Sequence, residues 1–130
     1  QLPAGGTLTY FPLNHPGGCV GYRLDWPHHS LAYVTDTTAS SGADYIEKIR
    51  GVDLLLHEAY FADGGTDLPA ITGHSSLLPV PEVAAAARVG RLILMHTDPQ
   101  SDSDSRYDLA AARRVFPATE IGCDQMEIEF

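Results

Sequence analysis

Cysteine is scarce in this chain: Cys19 and Cys123 lie far apart and form no Cys-x-x-Cys. That removes the thiol-based metal and redox motifs, and both residues are read as reduced thiols packed like small hydrophobes, with a bridge between them left open. Long apolar runs are missing too. A membrane span needs about 20 residues, and no run comes close. Residues Gln1 to Thr9 carry neither the basic start nor the apolar core of a signal peptide, so a soluble, cytoplasmic protein is expected. Basic residues are few: 8 Lys and Arg against 17 Asp and Glu give a net charge of −9. Such a surface repels a polyanion and argues against a broad nucleic-acid footprint on this piece. A small anionic substrate stays open, because bound divalent cations reverse the local potential. Gly73-His74-Ser75-Ser76-Leu77 lacks the final glycine of a nucleophile elbow and no strand precedes it, which excludes a serine hydrolase. Asp102, Asp104 and Asp108 lack the glycine and last glutamate of a calcium loop.

What is present is an ordinary globular composition, 44% hydrophobic and 19% charged over 130 residues. A chain of that length forms one domain or less and buries roughly two thirds of its unfolded surface. Residues Thr7 to Leu13, Cys19 to Asp25 and Ser30 to Asp36 read as strands, with Trp26-Pro27-His28-His29 as the turn of a hairpin. His28 and His29 are read as solvated surface. Ser40 to Ile49 predicts a helix through Tyr45, Ile46 and Ile49. The apolar runs Val52 to His57 and Arg91 to His96 predict strands buried on both faces. Ala62 to Thr72 predicts a loop, Pro81 to Val89 and Tyr107 to Val115 predict helices, and Asp98 to Ser105 an acidic loop. Met126 to Phe130 predicts a closing strand. There is no internal repeat and no linker.

Five short segments carry an imidazole or carboxylate at or just beyond the end of an apolar run. They hold His15 in Asn14-His15-Pro16-Gly17-Gly18, Asp36 in Tyr33-Val34-Thr35-Asp36-Thr37, the pair His57-Glu58, His74 in Gly73-His74-Ser75-Ser76, and His96 after Met95. An α/β sheet gathers polar groups from such positions into one crevice. Imidazoles and carboxylates gathered there suit zinc, iron or manganese. Each has a plainer reading: His15 as a loop histidine, Asp36 as a cap, His96 as a strand-end histidine. His57 is left open between a supporting and a structural role.

In this order and spacing, from Asn14 to Pro99, the segments resemble the C-terminal half of the metallo-β-lactamase superfamily. The likeness is to its phosphodiesterase branch, which holds tRNase Z-type nucleases and phosphoribosyl cyclic phosphodiesterases. The motifs that carry it are His-Pro-Gly-Gly followed by Gly-Tyr-Arg, then Tyr-Val-Thr-Asp-Thr, His-Glu-Ala-x-Phe, Gly-His-Ser-Ser and the strand-ending His96. The resemblance implies an α/β fold that is half of a four-layer αββα sandwich, a mixed sheet with helices on one face. It implies a site for two divalent ions, zinc first, with manganese or iron as alternatives. His15 would ligate one ion, His96 the other, and Asp36 would bridge them about 3.5–4 Å apart. An activated water would attack phosphorus, with His74, oriented by Glu58, as general acid.

The superfamily's His-x-His-x-Asp-His is not among residues 1–130. The expectation is therefore a C-terminal half whose N-terminal half is a separate or missing partner, with a homodimer also open. Three candidate ligands are too few for two ions, so the chain alone is expected to be inactive. The expected function is a metal-dependent phosphodiesterase, with a small phosphodiester favoured over RNA. The alternatives are a metallo-hydrolase of carboxylic or thiol esters and a non-catalytic scaffold half.

Overall fold

The structure is a computed structural model and describes residues 2–62, 67–99 and 107–130. Among these residues six strands form a single mixed sheet, and their order in space is their order in the chain. Strands β1 (Thr7–Leu13), β2 (Cys19–Asp25) and β3 (Ser30–Val34) are antiparallel neighbours, as their aromatic and β-branched content predicts. The turn from β2 to β3 closes where the Trp26 amide donates to the His29 carbonyl. Strands β4 (Leu54–Glu58), β5 (Arg91–Met95) and β6 (Thr119–Ile121) then add in parallel. Helices α1 (Leu68–Thr72), α2 (Pro79–Ala87) and α3 (Leu109–Val115) lie in the connections. Among the described residues no helix is long and apolar enough to cross a membrane.

The two faces of the sheet differ sharply. One carries Phe11, Ala32, Val34, Leu55, Leu92 and Leu94, buried against Ile49, Val80, Val83, Ala84 and Ala112. Each fully buried aliphatic side chain there contributes about 1.5–3 kcal/mol. The other face bears Leu8, Tyr10 and Tyr22, and Tyr10 is 70% exposed. Period-two alternation puts Phe11 and Tyr10 on opposite sides of β1, and at the β1–β2 end the second face leaves large apolar side chains open to solvent. The mixed α/β sheet with helices on one face is as expected.

Several elements differ from expectation. Ser40 to Ile49 is not a helix; it holds one 3-10 turn, Asp44–Glu47, with Lys48 N–H bonded to the Tyr45 carbonyl. Ala43 offers no capping side chain, and burial of Tyr45, Ile46 and Ile49 fixes the segment without a helical ladder. Helix α1 replaces part of the expected loop: Pro69 sits in its first turn and Gly73 ends it in the left-handed conformation. Helix α2 starts two residues early, at Pro79, and α3 starts at Leu109. Met126 to Phe130 is not a strand. Met126 and Ile128 instead line a cavity of about 390 Å³ with Leu56, Ile93 and Met95, and the sheet is completed by β6. Cys19 packs against the core but Cys123 is exposed, so only one thiol behaves as a small hydrophobe; both are free. Most of the expected acidic loop, with Asp102 and Asp104, lies outside the described residues.

Candidate active site

The parallel strands deliver their polar residues to one end of the sheet. β3 stops at Val34 and β5 at Met95, so Asp36 and His96 lie beyond the strands rather than within them. Both have positive φ, 51° for Asp36 and 49° for His96. Left-handed backbone at a non-glycine residue is strained and collects at functional sites. Here it turns both side chains toward each other, with His96 Nδ1 3.6 Å from Asp36 Oδ1. The Thr35 hydroxyl stands between them, 3.1 Å from His96 Nδ1 and 3.4 Å from Asp36 Oδ2.

Glu58, the last residue of β4, is fully buried. Its carboxylate accepts the Thr37 amide at 2.7 Å, the Ser75 amide at 3.2 Å and His74 Nδ1 at 3.1 Å. Burial raises its pKa, and the amides and His74 oppose the rise. His74 also lies 3.8 Å from Asp36 Oδ1. His15 reaches the cluster from the loop after β1. Its Nδ1–H donates to the Gly73 carbonyl at 3.0 Å, and its ring meets the His74 ring edge-on at 5.1 Å.

The five predicted residues His15, Asp36, Glu58, His74 and His96 thus converge. Donor atoms of His15, Asp36 and His74 lie within 4.8 Å of one another, as do those of Glu58, His74 and His96. Spacing of that order suits metal ligation, and neutral imidazoles beside carboxylates suit divalent zinc, manganese or iron.

His57 is not part of this set. It points to the other face of the sheet, fully buried, where Nδ1–H donates to the Glu58 carbonyl at 2.7 Å and Nε2 accepts from Tyr45 Oη at 2.8 Å. Burial lowers its pKa to about 4. The same burial, helped by the Glu58 charge, pushes the Tyr45 phenol up.

Two neighbours escape sequence reasoning. Tyr60 occupies the unspecified position of His-Glu-Ala-x-Phe and stacks on the His74 ring at 4.9 Å and 26°. Thr35 orders Asp36 and His96 but looks in sequence like any strand threonine. Neither carries a signal that spacing could have found.

A mixed sheet with imidazoles and carboxylates converging beyond its parallel strands defines an α/β protein with a cluster of metal-type donor groups. The Beta-lactamase superfamily domain matches residues 2–97. The chain belongs to that superfamily, as its motifs led us to expect. It is similar to the ribonuclease Z of Synechococcus sp. (strain CC9605), 36% identical over 99% of this chain and 41% of that protein. Among solved structures, the metallo-β-lactamase fold protein YhfI from Bacillus subtilis matches 93% of this chain and 48% of its own, at TM-score 0.75 and 27% identity. Human tRNase Z, short form, matches 72% of this chain and 36% of its own, at TM-score 0.65 and 25% identity. The chain spans 41% of the Synechococcus protein and 27% of a ribonuclease Z from Methanothermobacter thermautotrophicus, less than half of either.

Proposed function

We propose that the chain is the C-terminal half of a metal-dependent phosphodiesterase, working with a second half that carries His-x-His-x-Asp-His. The observation that carries this reading is the buried Glu58 carboxylate holding His74 Nδ1 at 3.1 Å, beside Asp36 and His96. A scaffold has no use for a buried carboxylate trained on an imidazole.

His15, Asp36 and His96 would hold two divalent ions, zinc first, with Asp36 shared. When bound, such ions supply positive charge for the phosphodiester oxygens and for an attacking water. The chain's own residues do the rest. His15 gives Nδ1–H to Gly73 and keeps Nε2 for a ligand. His74 gives Nδ1–H to Glu58, and in its doubly protonated form its Nε2–H would pass a proton to the departing oxygen and leave the neutral imidazole. Three ligands for two ions, and the exposed Leu8, Tyr10 and Tyr22 on one face of β1 and β2, both support a second half.

A small cyclic or linear phosphodiester is favoured by the net charge of −9. An RNA 3′ end is the second reading, favoured by the 36% identity to a protein named ribonuclease Z. The test is native mass spectrometry of the complete protein, followed by hydrolysis of bis(p-nitrophenyl) phosphate and of a 3′-extended RNA. Bound metal with diester cleavage is expected. A complete protein without metal and without cleavage would overturn the reading in favour of a scaffold half.

A further inference from the structure

Three of the other four converging segments hydrogen-bond to the short stretch Gly73-His74-Ser75-Ser76. His15 bonds to Gly73, and Glu58 to His74 and Ser75. The Ser75 hydroxyl donates to the Thr37 carbonyl at 2.6 Å and accepts the Ala39 amide at 2.9 Å, which ties down the turn holding Asp36. In all of these contacts but one, a side chain or amide of the stretch does the bonding. At Gly73 the missing side chain matters as well.

A Cβ built on Gly73 would lie 2.4 Å from Pro16 Cδ, 2.7 Å from His15 Nδ1 and 3.3 Å from His15 Cα. Real Cβ atoms do not come that close, and the proline ring and the His15 backbone are not flexible ends that can swing aside. Gly73 also has φ of 76° and caps α1 through its own N–H, bonded to the Pro69 carbonyl at 2.9 Å. One residue therefore ends a helix, receives the His15 proton and leaves room for the His15 loop to lie against the His74 loop.

We propose that Gly73 is a positioning residue for metal ligation: its carbonyl fixes the His15 tautomer, and its lack of a side chain fixes the distance at which the His15 and His74 loops dock. The inference rests on the metal reading above and adds to it a residue that touches neither ion nor substrate. A carbonyl oxygen can only accept, so His15 must carry its proton on Nδ1, and Nε2 is the nitrogen that ligates. Hydrogen bonds of this kind from the far nitrogen of a ligand histidine are worth about 10–100-fold in metal affinity.

The positive φ supplies the control. Gly51 has φ of 69°, yet a Cβ there meets nothing within 4 Å. Gly51→Ala therefore imposes the same backbone strain without the collision. Zn²⁺ affinity would be measured on the complete protein by competition with a chromophoric chelator, for wild type, Gly73→Ala and Gly51→Ala. The expected result is a loss of about 10–100-fold for one ion in Gly73→Ala and none in Gly51→Ala. Unchanged affinity in Gly73→Ala, or equal losses in both variants, would overturn the inference and leave the metal reading intact. A wild-type protein that takes up no Zn²⁺ would overturn both. Should Gly73→Ala fail to fold, the ¹⁵N spectrum of histidine-labelled wild-type protein decides. His15 protonated on Nδ1 supports the inference, and protonation on Nε2 overturns it.

Discussion

Glu58 Oε2 lies 3.1 Å from His74 Nδ1, and the carboxylate that holds the imidazole is itself shut away from water. With two backbone amides also bonded to it, Glu58 cannot swing away, and His74 keeps one orientation.

If His74 passes the proton to the leaving group, His74→Asn and Glu58→Gln should slow a diester with an alkoxide leaving group by about 10²–10⁴-fold. The loss on a p-nitrophenolate diester should be far smaller, since that group leaves without a proton. Rates of the complete enzyme on the two substrates, compared for each variant, check this. Equal losses on both would remove the general-acid role.

Asp36 faces both His74, at 3.8 Å, and His96, at 3.6 Å. If Asp36 is the ligand shared by two ions, as proposed, its loss should affect both, so Asp36→Asn should lower bound metal more than His96→Asn does. Metal-to-protein ratios after gel filtration give the comparison. A full complement of metal in Asp36→Asn would show that the carboxylate does not bridge.

The buried His57 makes stability depend on acid. Its pKa falls from 6.5 to about 4 on folding, so below pH 6.5 the unfolded chain takes up a proton that the folded chain refuses. Its contribution is whole above pH 6.5 and is lost as pH falls toward 4, by about 3 kcal/mol in all. The raised pKa of Glu58 acts with the opposite sign, favouring the fold at low pH and less so as pH rises. His57→Gln should flatten the acid slope of the unfolding free energy even if it lowers the plateau. Urea titrations from pH 4 to 7 would show it.

Phe11 lies over Gly21 on the covered face of the sheet, where a Cβ at Gly21 would come within 2.4 Å of the ring. Gly21→Ala should therefore displace the ring and destabilise by about 1–3 kcal/mol. Chemical denaturation measures the change. A neutral result would mean that the β1–β2 pair shifts freely, contrary to its seven-residue register.

The strands that build the site were legible in sequence because apolar runs with polar tips have few alternatives. The ends of those strands were less so: Asp36 and His96 lie one or two residues past β3 and β5, in backbone that no propensity favours. Tyr45, Ile46 and Ile49 were legible as buried residues, yet their helical spacing misled, because burial alone can set a spacing that 3-10 turns also satisfy. Helix α1 had its punctuation in Pro69 and Gly73, but its five residues are shorter than a periodic pattern can reveal. The alternation at Met126 and Ile128 is genuine and places both against the sheet face without strand pairing. His57 was undecidable from sequence, because its neighbour Glu58 points to the opposite side of the same strand.

The order of the strands has a consequence for how the sheet comes into being. Since each strand pairs with the one made just before it, none has to be threaded between two already in place. Among the described strands the sheet can lengthen at a single advancing edge while synthesis proceeds. The β1–β2 and β2–β3 closures are short hairpins with a low entropic cost, whereas the parallel crossovers from Glu58 to Arg91 and from Met95 to Thr119 close longer loops and cost more.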